Sequence, residues 1–391
     1  MTHQKELTGI ELALEAIIAD GMEGLESAVS LLINEAMKIE RSRTLNAEPW
    51  QRTSGRKGYA NGYKPRSLNT RVGKLSLQIP KVRGEVPFIP KAIERGTRSE
   101  RALKLAIAEM YLKGVSTRKV NDVMEKLCGL EVTSEEVSRC TKLLDGQLEK
   151  WRSRPIGSIP YLMLDARYEK VRQDGAVRSC AVFIAAGIQA DGKRIILGTS
   201  VALSEAEVHW RQFLASLKKR GIHGLKLICS DDHEGLKAAL KRTFNGVLWN
   251  RCQVHLQRNA FSYIPKRHMR ATVAQDIRDI FNAPDLEEAD RLLGLTIEKY
   301  RPKASKLSEW MENNLQEGFA VFKIPKHHRK RLRSTNMVER LNKEIKRRTR
   351  VAGLFPNESS LLRLVSAILM ETSEEWETGK AYLRMKTDLN H

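Results

Sequence analysis

Three acidic residues far apart in the chain, Asp165, Asp231 and Glu339, stand where carboxylates can do metal chemistry. The stretch L-K-L-I-C-S-D-D-H-E-G-L-K-A-A-L, from Leu225 to Leu240, opens with an apolar run that predicts a strand buried on both faces. The run stops at Ser230, Asp231 and Asp232, and from Gly235 the pattern turns helical, with Leu236, Ala239 and Leu240 on one face. A strand that delivers an acid at its carboxyl end places it in the crevice where open α/β sheets hold ligands. The plainer alternative is that Ser230 and Asp231 only cap the helix. Asp165 sits in a second apolar run, Tyr161 to Val171. Glu339 falls in the first turn of a helix whose buried stripe is Val338, Leu341 and Ile345, with N-cap chemistry supplied by Ser334-Thr335-Asn336. Two hard cations roughly 4 Å apart can activate an attacking oxygen and stabilise a leaving one at a phosphodiester. Magnesium keeps several waters, so two or three carboxylates suffice to hold it.

The elements that must position these acids follow in order. Residues 8 to 40 carry apolar positions at helical spacing, interrupted near Gly21 and Gly24, and predict two amphipathic helices for packing or dimer formation. Between Glu48 and Glu85 no acid occurs, while Arg52, Arg56, Lys57, Lys64, Arg66, Arg71, Lys74, Lys81 and Arg83 stand among glycines, Trp50, Tyr59 and Tyr63. Alternation from Lys74 to Pro80 predicts one strand there. The segment is expected to follow phosphates rather than read bases, because its charges lie among glycines and turns; a solvated basic linker is the alternative. Three short helices follow from Arg98, the second capped by Ser116 and the third opened by Thr133-Ser134-Glu135-Glu136, an order that fits a helix-turn-helix DNA reader or any small helical bundle.

From Ile159 strands predominate. Three of them, joined at Asp174-Gly175 and Asp191-Gly192, precede a helix over residues 206–219, the strand ending at Asp231, a helix, and a fifth strand over residues 246–254. This is the order of a ribonuclease-H-like α/β fold; no Gly-x-Gly-x-x-Gly or Walker loop points to a nucleotide-binding fold instead. Residues 259 to 324 read as mostly helical.

With 68 Lys plus Arg against 47 Asp plus Glu, the 391-residue chain carries a formal charge of +21, which calls for a polyanionic partner. No apolar run reaches the roughly 18 residues of a spanning helix, and the polar opening does not resemble a signal peptide. The five scattered cysteines read as reduced thiols of a cytoplasmic protein.

At L-D-A-R-Y-E-K-V-R around Asp165, S-D-D-H-E-G-L at Asp231, R-C-Q-V-H-L-Q-R-N from Arg251 and S-T-N-M-V-E-R-L-N-K-E-I-K-R-R around Glu339, the sequence resembles the Mutator-like transposases of bacterial insertion sequences, a D-D-E recombinase group. A-N-G-Y-K-P-R, M-Y-L-K-G-V-S-T-R and F-P-N-E-S-S-L-L-R-L extend the resemblance over nearly the whole chain. It implies a ribonuclease-H-like catalytic core with a helical insertion, preceded by a helix-turn-helix DNA-binding region, and Asp165, Asp231 and Glu339 as ligands of two Mg2+ ions, with Mn2+ as a substitute. The expected divisions are 1–47 N-terminal helices, 48–97 basic DNA-contacting segment, 98–155 helix-turn-helix, 156–257 first part of the core, 258–333 insertion and 334–391 final helices. Expected partners are double-stranded DNA, as terminal inverted repeats and target, and further copies of the chain in a dimer or larger assembly, without a membrane; the expected location is the bacterial cytoplasm, at the nucleoid.

Asp232 departs from the small residue more usual in the family and is read as an outward cap of the following helix; Glu344 is a lesser rival to Glu339 on another helix face. Cys252 and His255 form the family's C-x-x-H element, too few ligands for a closed zinc site and better read as a buried Cys and a hydrogen-bonded His near the acids. The residues expected to contact DNA are Arg52, Arg56, Lys57, Lys64, Arg66, Arg71, Arg118, Lys119, Arg167, Trp310, Arg340, Lys343 and Arg347. For Arg167 pairing with an acid, and for Trp310 core packing against stacking on a displaced base, remain the alternatives. A metal-dependent nuclease or resolvase on the same core, and a domesticated DNA-binding regulator, are the competing functions.

Overall fold

The computed structural model describes residues 8–84, 86–93 and 98–385, which fall into two compact units, residues 1–143 and 144–391. In the first, α1 (Gly9–Asp20) and α2 (Leu25–Leu45) are joined by a 3-10 turn at Gly21–Gly24, the predicted break. Thr8 and Glu11 cap α1 reciprocally. A two-stranded ribbon follows, β1 (Tyr59–Thr70) and β2 (Gly73–Arg83), with a bulge between Ala60 and Tyr63 where Gly62 takes a positive φ of 68°. Leu75 and Leu77 of β2 are buried with Met37 of α2 and Ile93. The basic segment is therefore ordered as two strands where one was expected. Lys64 and Arg66 lie in β1, Lys74, Lys81 and Arg83 in β2, and Arg71 at the hairpin turn. Helices α3 (Arg101–Leu112), α4 (Thr117–Cys128) and α5 (Ser134–Thr141) complete the unit. Ser116 caps α4, Gly129 closes it in the left-handed region, and a Thr133–Glu136 capping box starts α5.

The second unit begins with α6 (Asp145–Ser153), which the sequence groups with the preceding helices. It is tied instead to α15 (Glu358–Thr378): Arg363 holds Asp145 with bonds of 2.6 and 2.9 Å, and Arg152 donates to Ser366 at 2.9 Å. Between them runs a mixed five-stranded sheet of β3 (Tyr161–Gln173), β4 (Ala176–Ile188), β5 (Arg194–Ala202), β6 (Leu227–Ser230) and β7 (Leu248–Arg251), in the order β5-β4-β3-β6-β7. The first three strands are antiparallel neighbours, joined at the two predicted turns; β6 is parallel to β3, and β7 to β6. Helices α7 (Glu207–Lys219) and α8 (Glu234–Thr243) pack with Leu162, Leu164, Phe183 and Ile228, and Trp210 is wholly enclosed against Phe183 with ring centroids 4.3 Å apart.

A separate core is built by α9 (Gln253–Ala260), α10 (Arg270–Phe281), α11 (Leu286–Tyr300) and α12 (Ser305–Asn314), around Leu256, Ile277, Leu293 and Met311. The chain then passes through α13 (Lys326–Leu332) to α14 (Asn336–Ala352), which lies along β3 in the same direction: Asn342 meets Asp165 and Thr349 meets Glu169. Among the described residues no helix is long and apolar enough to cross a membrane, and all five cysteines are free.

Candidate active site

Strand register brings the first two acids together. Tyr161, Leu162 and Met163 of β3 pair with Leu227, Ile228 and Cys229 of β6. Asp165 and Asp231 each lie two residues beyond the last of these pairs, Asp165 within β3 and Asp231 just past the end of β6. Leu162, Leu164 and Ile228 point to the α7 and α8 side, so by alternation Asp165 is on the opposite face, where Asn342 of α14 meets it. Asp165 is buried at 6% exposure; its Oδ1 accepts from the Ala166 amide at 2.9 Å and its Oδ2 from Asn342 Nδ2 at 2.7 Å. Burial, and then the negative charge of Asp231, push its carboxyl up to about 7, with Glu339 adding to the rise and His255 opposing it. The charges of both other acids are thus felt at Asp165.

Glu339 Oε1 lies 3.5 Å from His255 Nε2 and 3.6 Å from the Arg258 guanidinium. Its rival Glu344 is turned away and tied to Arg347 and Arg348 at 2.7 and 2.8 Å, which hold its carboxyl down at about 2. Asp232 does not cap α8. Its carboxylate bonds Lys237 and Arg251, each at 2.9 Å, and both cations continue to Glu317, just beyond α12. With Arg251 only 3% exposed, this is a clamp between the sheet end and the core of α9 to α12.

The C-x-x-H element anchors the helix that carries Glu339. Cys252 is fully enclosed, and its sulfur accepts from the backbone N–H and the hydroxyl of Thr335, both at 3.4 Å. Thr335 occupies the N-cap position of α14 without capping it, because its hydroxyl is spent on Cys252. The Gln253 amide donates to Arg333 O at 3.0 Å beside it. Burial works to raise the Cys252 thiol, yet His255 and Thr335 pull it below its ordinary value, and the same contact with Cys252 raises His255.

Two contributors escaped the sequence reading. Asn342 holds Asp165 from three residues beyond Glu339, a spacing that shares a helix face and could have flagged it. Glu205, 11% exposed before α7, has its carboxyl raised by burial, with His233 at 3.9 Å opposing and the charge of Asp231 adding. Gly235 allows this approach, since a Cβ there would lie 2.4 Å from Glu205 O.

Several residues expected to touch DNA are otherwise engaged. Arg167 pairs with Glu169 at 2.5 Å and donates to Asn342 O, so it is an internal strut of the β3–α14 contact rather than an open phosphate ligand. Trp310 stacks on Tyr263, with centroids 5.6 Å apart, and packs on the core of α9 to α12. Arg56 donates to Gly58 O and Gln51 O, and Arg71 pairs with Glu100. Arg52, Lys57, Lys64, Arg118, Lys119, Arg340 and Lys343 are exposed; Arg347 is exposed beside Glu344, and Arg66 is half-buried.

Among the described residues no three His, Cys, Asp or Glu side chains close a metal cage. The all-carboxylate chemistry of Asp165, Asp231 and Glu339, with Asp165 raised by its neighbours, suits a hard cation that retains water ligands. The raised Asp165 also has a consequence for the metal-free protein. Its contribution to stability is present below its ordinary value of 3.8 and lost as pH rises through about 7. In EDTA, Asp165→Asn should therefore melt above the parent by roughly 3 to 8 °C at pH 8, with the advantage shrinking steadily toward pH 4. An advantage independent of pH, measured by thermal melting, would contradict this.

The family model described as "Transposase, Mutator family" matches residues 1–379. The chain is 51% identical over 98% of its length, and 99% of the relative's, to the transposase of insertion sequence element IS406 from Burkholderia multivorans. It is 41% identical to that of ISRM5 from Rhizobium meliloti, over 95% of this chain and 94% of the relative, and 37% identical to that of IS256 in transposon Tn4001 from Staphylococcus aureus, over 94% of each. Carrying that match across nearly its whole length, the chain belongs to the Mutator family of transposases.

Proposed function

We propose that this transposase binds the terminal inverted repeats of its own mobile element and catalyses metal-dependent strand cleavage and strand transfer there, working in the bacterial cytoplasm at the nucleoid. The observation that carries the reading is the β3–β6 pairing, which runs to within two residues of Asp165 and Asp231, together with the charges of Asp231 and Glu339 both acting on Asp165. A sheet of three antiparallel strands and two parallel ones, with acids on the first and at the end of the fourth, supports a ribonuclease-H-like core, and α9 to α12 then form its helical insertion.

Asp165, Asp231 and Glu339 would hold two Mg2+ ions, which supply activation of the attacking oxygen and neutralise charge on the leaving one. The chain's own residues fix the ligands. Asn342 orients Asp165, Cys252 seats the start of α14 through Thr335, and His255 and Arg258 lie beside Glu339. Helices α3 to α5 support a helix-turn-helix reading of the first unit, with Ser134, Ser138, Arg139 and Lys142 exposed on and just after α5. Two inverted repeats call for at least two copies of the chain on DNA. A regulator that had lost catalysis would have no need of a buried Asp165 on which the charges of Asp231 and Glu339 both act.

The test is direct. Purified full-length chain, incubated with Mg2+ and a duplex carrying the element's end joined to flanking DNA, should nick the duplex at the junction and join the freed end to a second DNA. Cleavage indifferent to the end sequence would favour a nuclease or resolvase, and no cleavage would overturn the reading.

A further inference from the structure

The ribbon β1–β2 has two unlike faces. Its register pairs Leu68 with Leu75, Arg66 with Leu77 and Lys64 with Ile79 on one face, and that face is packed on α2 through the buried leucines. On the other, Asn69 pairs with Lys74, Ser67 with Ser76 and Pro65 with Gln78. Asn69 is half-buried; the other five are exposed. Two amides, two hydroxyls and an ammonium thus lie on this face, and none of its own six side chains is a carboxylate. The ribbon is also held rigid. Asn34 of α2 stands in for a further strand along β2, accepting from the backbone N–H of Gln78 at 2.7 Å and donating to Ser76 O at 3.4 Å.

We infer that this solvent face, Ser67, Asn69, Lys74, Ser76 and Gln78, is a base-reading surface that enters the major groove of the element-end duplex. The inference rests on the end-binding transposase reading above. A major groove about 12 Å wide admits a two-stranded ribbon, and Asn or Gln to adenine, Lys to guanine and Ser to either are the pairings its edges offer. Three rungs two residues apart span roughly 14 Å, close to four base pairs. Ser67, Asn69 and Lys74 open into a cleft of about 830 Å³ that Lys64, Arg66 and Arg98 also line, with Glu136 at one side. At the bulged end, Tyr59 pairs with Arg83, and Lys81 is exposed close by. The competing reader, α5, begins with Glu135 and Glu136, two carboxylates in the turn that a recognition helix brings closest to the bases and phosphates. A basic segment without order would only follow phosphates; an ordered polar face with basic flanks has the geometry to discriminate bases as well.

The experiment uses the full-length chain with two duplexes of equal length, one bearing the element end and one a scrambled sequence. Ser76→Ala/Gln78→Ala should weaken end binding by about 10- to 100-fold, leave scrambled binding unchanged, and keep the slope of log affinity against log salt. Lys81→Ala/Arg83→Ala should weaken both duplexes alike and flatten the slope by roughly 0.9 per lost contact. Unchanged melting temperatures would show both variants folded. The proposal is overturned if the polar double variant keeps its full preference for the end, or if it weakens both duplexes equally. A parent chain without any preference would overturn the end-binding reading itself, a failure visible before any variant is made.

Discussion

Asp165→Asn, Asp231→Asn and Glu339→Gln should each reduce cleavage at the element end by at least about a thousandfold while leaving DNA binding and folding intact. Each amide keeps the shape of its carboxylate and removes the charge that would hold a divalent cation. In Asp165→Asn the new amide is accommodated because Asn342 Oδ1, buried without a partner, can turn to accept from it where Asn342 Nδ2 now donates to Asp165. Asp232→Asn should be much milder, since Asp232 belongs to the Lys237, Arg251 and Glu317 clamp. Full cleavage by any one of the three variants would remove that residue from the site, and inactivity of Asp232→Asn alone would move the second ligand there.

Cys252→Ala should lower end cleavage by about 10- to 100-fold without affecting end binding. The substitution leaves the N–H and hydroxyl of fully buried Thr335 without their acceptor, at a cost of roughly 1–3 kcal/mol for each group. Relief comes by shifting the first turn of α14, and a displacement near 1 Å at a catalytic group can cost about a hundredfold. Glu339 is in that turn. Cys252→Ser, which keeps an acceptor, should recover most of the activity. If Cys252→Ala cleaved like the parent, the seat under α14 would be irrelevant to catalysis.

The positions of Asp165 and Asp231 were legible because apolar runs bound them and β-strand alternation is short-range. The helix carrying Glu339 was legible from its apolar stripe. What surrounds the acids was not, because it depends on which elements meet. Asn342 and Glu205 acquire meaning only when α14 lies along β3 and the turn before α7 reaches Gly235. Thr335 has the composition of a helix cap, and only the fold shows its hydroxyl committed to Cys252. Strand β1 gave almost no alternating signal, since its inward positions are Lys64, Arg66 and Leu68, its outward ones include Pro65, and Gly62 makes a bulge. It is held as a strand by β2, whose Leu75 and Leu77 supply the apolar side that the sequence did reveal.

If Asp165, Asp231 and Glu339 form one metal-holding centre, the chain must bind a divalent cation through all three, whether or not it turns over. Titrating the full-length chain with Mn2+, and following the loss of the free-ion electron paramagnetic resonance signal, measures this without requiring cleavage. Binding by the parent should be saturable, at least about tenfold weaker in each of the three amide variants, and unchanged in Glu344→Gln, whose carboxylate is already bound to Arg347 and Arg348. Binding that survived all three amide substitutions, or that was lost in Glu344→Gln, would show that the three acids are not the centre.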